Sequence, residues 1–172
     1  MAAPSPLSPD GVIVALGANL GDVRGHIRRA LAGLQSFSVA ALRVSSLWET
    51  SPVDCPPGSP KFLNAVALLE PRQDETPLGL LAKLQSLERE IGRQPKKMQN
   101  EPRLIDLDLV AFGSRKLATP ELVLPHPRAH LRRFVLQPLS EIAPDLVLPG
   151  QGKTVGDLLA GLKSSECLLK VG

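Results

Sequence analysis

Residues 102–110, Pro102-Arg103-Leu104-Ile105-Asp106-Leu107-Asp108-Leu109-Val110, set two carboxylates into a segment that otherwise alternates as a β-strand. Residues two apart in a strand project from the same face, so Asp106 and Asp108 share one face while Ile105, Leu107 and Leu109 share the other. Asp is depleted in strands, and a pair at period two needs a reason. A polar outer face against solvent is one reason. A divalent cation is the sharper one. Two carboxylates about 7 Å apart, two rises of ~3.3 Å, can hold hard metal ions. Mg²⁺ typically takes one or two carboxylates and completes its octahedron with water and phosphate oxygens. Arg103, three residues before Asp106, adds a phosphate-binding fork. The stretch reads as a nucleotide–metal site.

The rest of the chain bounds that reading. Its 172 residues suit one domain with a real core, and 43% hydrophobic content is globular. There is no Tyr and one Trp, so Leu, Val, Ile and Ala must build the core. A net charge of +3 does not by itself imply a nucleic-acid binder, but Arg and Lys gather between Arg89 and Arg133, which suits an anionic ligand. Cys55 and Cys167 are far apart, without C-x-x-C spacing, and read as free thiols of a reducing compartment. Met1–Asp10 is Pro/Ser/Ala-rich, is expected to be disordered, and has no signal-peptide pattern. No apolar run reaches the ~18–20 residues of a membrane helix. A cytoplasmic protein with a single domain over 11–172 is the expectation.

Gly11–Leu16 (GVIVAL) is a buried strand, closed by the turn Gly17-Ala18-Asn19-Leu20-Gly21-Asp22. Asp22 is placed to cap a helix over Val23–Gln35. Val39–Thr50 reads as one long strand, followed by a Pro-rich loop through Pro52, Pro56, Pro57 and Pro60. Phe62–Leu69 (FLNAVALL) is another strand, with Asn64 inside it either satisfied locally or bonding a flat heterocycle. Thr76–Gly92 is the strongest helix, with Leu80, Leu81, Leu84, Leu87 and Ile91 at helical spacing and Gly92 as its stop. Gln94–Glu101 is a basic polar loop, either ordinary surface or a lid over phosphates.

After the acidic strand, Gly113–Lys116 turns the chain back and Leu117–Leu124 supplies a short hairpin partner. Two His and three Arg then crowd into Pro125–Phe134, a pattern that favours an anion site. Gly152-Lys153-Thr154 imitates the end of a P-loop, but that motif needs Gly where Val147 stands. Thr154 reads better as the N-cap of a helix over Val155–Leu162. The order strand–helix–strand–strand–helix–strand predicts an α+β fold. It is a ferredoxin-like split βαβ sandwich with helices on one face and a C-terminal extension of hairpin and helix.

Four separated motifs, in order, closely resemble the 6-hydroxymethyl-7,8-dihydropterin pyrophosphokinases of folate synthesis. They are Gly17-x-Asn19-Leu20-Gly21-Asp22, Phe62-Leu63-Asn64-Ala65, Pro102-Arg103-x-Ile105-Asp106-Leu107-Asp108, and Pro125-His126-Pro127-Arg128 with Arg132-Arg133-Phe134. The resemblance covers about residues 12–162. It implies transfer of pyrophosphate from ATP to the hydroxymethyl oxygen of the dihydropterin, with release of AMP. It implies two Mg²⁺ ions on Asp106 and Asp108, and catalytic roles for Arg93, Arg103, Asp106 and Asp108. ATP contacts carry over to Gln85, Glu88, Arg93, Lys96, Arg103, Leu109, His126 and Arg132. Pterin contacts carry over to Gly17, Thr50, Val53, Phe62, Asn64 and Phe134, the two Phe stacking on the flat ring.

The chain also departs from the pattern. Asn100-Glu101 stands where members often have Trp-Gly, Leu104 where Thr commonly follows the Arg, and the basic lid is reduced to Lys96 and Lys97. A monomer acting on small molecules, without nucleic acid, membrane or a fused second enzyme, is expected. The competing reading is a non-catalytic ferredoxin-like ligand-binding module that uses the acid pair only as surface.

Overall fold

Alternation along three central strands divides the apolar residues into two cores, one on each face of a sheet. The computed structural model describes residues 5–6, 11–51, 57–58, 60–94, 103–164 and 166–172. In chain order they form β1 (Ser5–Pro6), β2 (Val12–Ala18), α1 (Val23–Ser36), β3 (Arg43–Val44), β4 (Trp48–Thr50), β5 (Phe62–Leu69) and α2 (Pro77–Ile91). There follow β6 (Asp106–Phe112), β7 (Leu117–Ala118), β8 (Val123–Leu124), a 3₁₀ turn at Ala129–Leu131, α3 (Arg133–Ile142), β9 (Leu146–Val147), α4 (Val155–Gly161) and β10 (Leu168–Lys170). The main sheet runs β10-β4-β5-β2-β6, with β3 also on β5, and every pairing in it is antiparallel.

Val12, Val14 and Leu16 of β2, Leu63 and Ala67 of β5, and Leu107 and Leu109 of β6 face a core closed by α1 and α2. Ile13, Ala15, Val66 and Val110 face a second core closed by Val135, Leu136 and Leu139 of α3 and Val155 of α4. The expectation of helices on one face is therefore corrected: helices cover both faces. The second layer was hidden because α3 carries Pro138 in its interior, where proline removes an amide and normally argues against a helix.

Local chemistry placed most of the remaining elements. Asp22 accepts from the Gly25 amide at 3.1 Å and Thr154 from Asp157 at 3.1 Å, so both expected caps form, while Thr76, read from sequence as the first helical residue, caps α2 by accepting from Gly79 at 3.0 Å. Gly92 ends α2 at φ 114°, a left-handed conformation that favours glycine. The single strand expected over Val39–Thr50 is instead two short ones. At the break the Ser45 hydroxyl accepts the Val66 amide at 3.0 Å and so replaces a ladder bond. Among the described residues β7 pairs only with β8, as a separate ribbon. Within the tail expected to be disordered, Ser5 and Pro6 run parallel to β9. The rest of that tail, Val53 and the basic loop with Lys96, Lys97, Asn100 and Glu101 lie outside the described residues.

Candidate active site

Pairing across the sheet builds the site floor. Trp48, Asn64, Gly17 and Asp106 fall opposite one another across β4, β5, β2 and β6. One step further in, Val66, Ala15 and Asp108 do the same. Directly opposed residues share a face, so the two carboxylates stand beside Asn64 on the face that α3 covers. Only Gly17 and Ala15 separate them from β5, and these small residues leave room above the floor.

Asn64 is 5% exposed and its Nδ2 donates to the Thr50 hydroxyl at 2.8 Å. A Cβ on Gly17 would come within 2.9 Å of Asn64 Oδ1 and 4.0 Å of the Phe62 ring, so glycine makes space for the amide. Phe62, Asn64, Thr50 and Gly17 thus form one contiguous group. Phe134 joins the core of the same face from the first turn of α3. Each ring carries a guanidinium: Arg103 lies 5.8 Å from the Phe62 centroid and Arg132 5.4 Å from that of Phe134.

The acid pair is surrounded by cations. Arg93 donates to Asp106 Oδ1 at 2.9 Å and Arg103 to Asp106 Oδ2 at 2.9 Å. Arg93 also donates to Glu88 Oε2, which accepts the Leu107 amide at 3.1 Å. Burial would lower the Arg93 pKa, but Asp106 and Glu88 outweigh it and raise it, so the guanidinium stays charged. Burial raises Glu88 against the pull of Arg93. Burial, and next the Asp106 carboxylate, push Asp108 up from 3.8 to about 7, with Arg132 opposing. Among the described residues no group of three or more His, Cys, Asp or Glu forms a metal cage. The donor set is two carboxylates on one face, one of them destabilised as an anion, and this fits a hard cation completed by phosphate oxygens and water.

The outer edge of β6 is the second working surface. Leu107 N–H points outward to Glu88, and Val110 C=O accepts from the His126 amide at 2.8 Å. Leu109, two residues after Leu107, shares its outward main-chain phase, and the register shift that leaves Val110 without a partner on β2 turns the Val110 C=O outward as well. The Leu109 side chain itself is buried against the α1/α2 core. His126 Nδ1 accepts from the Arg128 amide at 3.1 Å, which fixes the other nitrogen as donor. Burial, then Arg132 and Arg128, lower its pKa, so it is a neutral imidazole. Gln85 is exposed, one turn before Glu88 on α2.

The chain matches the 7,8-dihydro-6-hydroxymethylpterin-pyrophosphokinase (HPPK) family over residues 13–144. It belongs to that family. It is 41% identical over 150 residues to the 2-amino-4-hydroxy-6-hydroxymethyldihydropteridine pyrophosphokinase of Pseudomonas aeruginosa, covering 87% of this chain and 90% of that one. It is 36% identical over 162 residues to the enzyme of the same name from Synechocystis, covering 90% and 81%. Its fold is similar to the HPPK-DHPS of Plasmodium falciparum, with a TM-score of 0.67 at 12% identity. That similarity covers 87% of this chain and 42% of the longer polypeptide.

The HPPK site contains one residue that the sequence reading quoted in a motif but did not place among the ligands. Asn19 is 3% exposed. Its Oδ1 accepts the Arg103 amide at 2.8 Å, its own amide N–H donates to Arg103 C=O at 3.1 Å, and its Nδ2 donates to Pro60 C=O at 3.2 Å. One side chain joins the end of β2, the Pro-rich loop and the approach to β6. An Asn in a Gly-bounded turn was the available signal.

Proposed function

We propose that Asp106 and Asp108 anchor the metal-bound triphosphate in the reaction that defines the HPPK family. The chain transfers pyrophosphate from ATP to the hydroxymethyl group of 6-hydroxymethyl-7,8-dihydropterin, in folate synthesis. The observation that carries the site assignment is the row Asn64–Gly17–Asp106. It puts a buried amide suited to a heterocycle beside a carboxylate flanked by two arginines.

In this reading the pterin stacks between Phe62 and Phe134, while Asn64, Thr50, Gly17 and Val53 meet its polar edge. Arg93 and Arg103 exchange Asp106 for phosphate oxygens, with Lys96 and Arg132 adding positive charge. His126 and the outward Leu109 main chain receive the nucleoside, and Gln85 and Glu88 border it. Asp106 and Asp108 would hold two Mg²⁺ ions. Bound there, the cations would neutralise the triphosphate and polarise the reacting phosphorus. The hydroxymethyl oxygen attacks the β-phosphorus in line as its proton passes to solvent, and the bond from the β-phosphorus to the α–β bridging oxygen breaks, so that this oxygen leaves with AMP. Positioning and electrostatics carry such a transfer, so no protein nucleophile is required.

The strand order β4-β5-β2-β6, with α1 and α2 on one face, supports a ferredoxin-like description of that half of the molecule. We extend the reading to a single domain over 11–172 acting as a cytoplasmic monomer. Among the described residues no helix is long and apolar enough to cross a membrane.

The test mixes the protein with ATP, MgCl₂ and the dihydropterin and measures AMP. Asp106→Asn and Asp108→Asn should each slow AMP release at least ~10²-fold, about 2.7 kcal/mol of barrier, with the fold retained. Near wild-type turnover in both would remove the metal assignment. Ligand binding without AMP, independent of Mg²⁺, would favour the non-catalytic module.

A further inference from the structure

The segment that follows the family match, which ends at residue 144, reaches back to both walls of the proposed pterin pocket. β10 pairs with β4, placing Leu168 opposite Thr50 and Lys170 opposite Trp48. Its neighbour Glu166 accepts the Phe134 amide at 3.2 Å through Oε2. Arg133 Nη2 donates to Leu162 C=O at 3.2 Å. At the other end of α3, Lys170 is 2.9 Å from Glu141 Oε2, while the partner oxygen of Glu141 accepts the Ser46 amide just before β4. The same short segment therefore holds α3 at both ends and is itself part of the sheet that carries Thr50.

The first turn of α3 needs such a hold. Its N-cap residue is Arg132, whose side chain makes no capping bond, so the first amides lack the local oxygen that Ser, Thr, Asp or Asn would supply. The carboxylate of Glu166 supplies it from 32 residues away. At the other end of that turn, Pro138 cannot donate to the Phe134 carbonyl. Phe134 thus has its carbonyl without the usual helical donor, and its amide depends on Glu166. Arg132 and Arg133 also draw on the same carboxylate electrostatically, although burial raises its pKa.

We infer that Glu166 is a positioning residue for the pterin pocket: from the C-terminal segment it caps α3 and sets the place of Phe134 against the Thr50–Asn64 wall. The inference rests on the pterin reading above. A side chain outside the matched family region would thereby tune acceptor binding in this chain, while the metal strand is left alone.

The experiment compares wild type, Glu166→Ala, Glu166→Gln and Phe134→Ala, by steady-state AMP release and by calorimetric titration with the dihydropterin. Glu166→Ala should raise the pterin KM about 10-fold, with kcat at saturation and the ATP KM within roughly 2-fold of wild type. Glu166→Gln keeps an acceptor oxygen and should recover most of the affinity. If Phe134→Ala loses pterin affinity and Glu166→Ala does not, the positioning role is overturned and the pocket reading stands. If neither loses it, both are overturned. Parallel increases in the ATP and pterin KM together with a lowered melting temperature would reduce Glu166 to a general stabiliser and overturn the inference too.

Discussion

Gly17 lies directly opposite Asn64, and a methyl group on it would sit 2.9 Å from the Asn64 Oδ1. The backbone at Gly17 is ordinary strand, so alanine meets no conformational penalty there. The amide must yield instead, and with it the 2.8 Å bond to Thr50. Gly17→Ala is expected to fold with about 1–3 kcal/mol less stability, from the broken Thr50 bond, and to weaken dihydropterin binding about 10-fold or more, or ~1.4 kcal/mol. Titration calorimetry reads this directly. Unchanged affinity would remove Asn64 from the pocket.

Glu88 bonds the Leu107 amide and Arg93 at once, from a position 7% exposed. Glu88→Ala leaves the Leu107 amide without its acceptor and Arg93 with Asp106 alone, and should cost about 1–3 kcal/mol of stability. Glu88→Gln still accepts from Leu107 and should lose less. Both variants should raise the ATP KM more than the pterin KM, because Arg93 is redirected. Denaturant melts with paired KM measurements check both statements.

Asp108 should cost the metal-free protein stability at neutral pH. Its folded pKa is raised to about 7 from 3.8, by burial and then Asp106. The folded state therefore holds its proton more tightly than the unfolded chain. Its contribution is complete below about pH 4 and is lost as pH rises through about 7. Asn cannot titrate, so Asp108→Asn lacks that loss. With EDTA present, the variant should gain on wild type between pH 4.5 and 8, by on the order of 2–4 kcal/mol at the upper end. Parallel stability–pH curves would contradict this. Mg²⁺ should narrow the gap by stabilising wild type alone.

Much of this site was legible because it lies on period-two strands and capped turns. Asp106 and Asp108 share a face by the arithmetic of the pleat, and Asn64 stood out as a polar residue in an apolar run. Sequence spacing could not place Phe134. Its helix contains Pro138, and its N-terminus is capped by Glu166 from a distant segment, so neither local propensity nor a local cap marked α3. The two-sided core was hidden for the same reason. The central strands alternate between two apolar faces, and such runs do not say which face a later helix will cover. Leu109 carries a different lesson. Its side chain is core, and any ligand contact belongs to its main chain on the β6 edge.

Asn19 binds three segments with one amide side chain, and its removal should separate binding from fold. The Arg103 main chain is held from both sides, at 2.8 Å to Asn19 Oδ1 and 3.1 Å from the Asn19 amide N–H. Only the first bond and the 3.2 Å bond to Pro60 depend on the side chain. Asn19→Ala deletes these two and leaves the backbone link intact. The Arg103 amide then loses a buried acceptor, which costs about 1–3 kcal/mol of stability. Arg103 also loses part of what fixes its guanidinium between Asp106 and the Phe62 ring. Turnover should fall by roughly 10-fold or more, since small displacements of a phosphate-positioning group are expensive in an in-line transfer. Asn19→Asp is the informative partner. It keeps the acceptor for the Arg103 amide but gives up the donor to Pro60, so it should retain Arg103-dependent turnover better than alanine. Equal loss of turnover in both variants would locate the effect in the Pro60 link and not in Arg103.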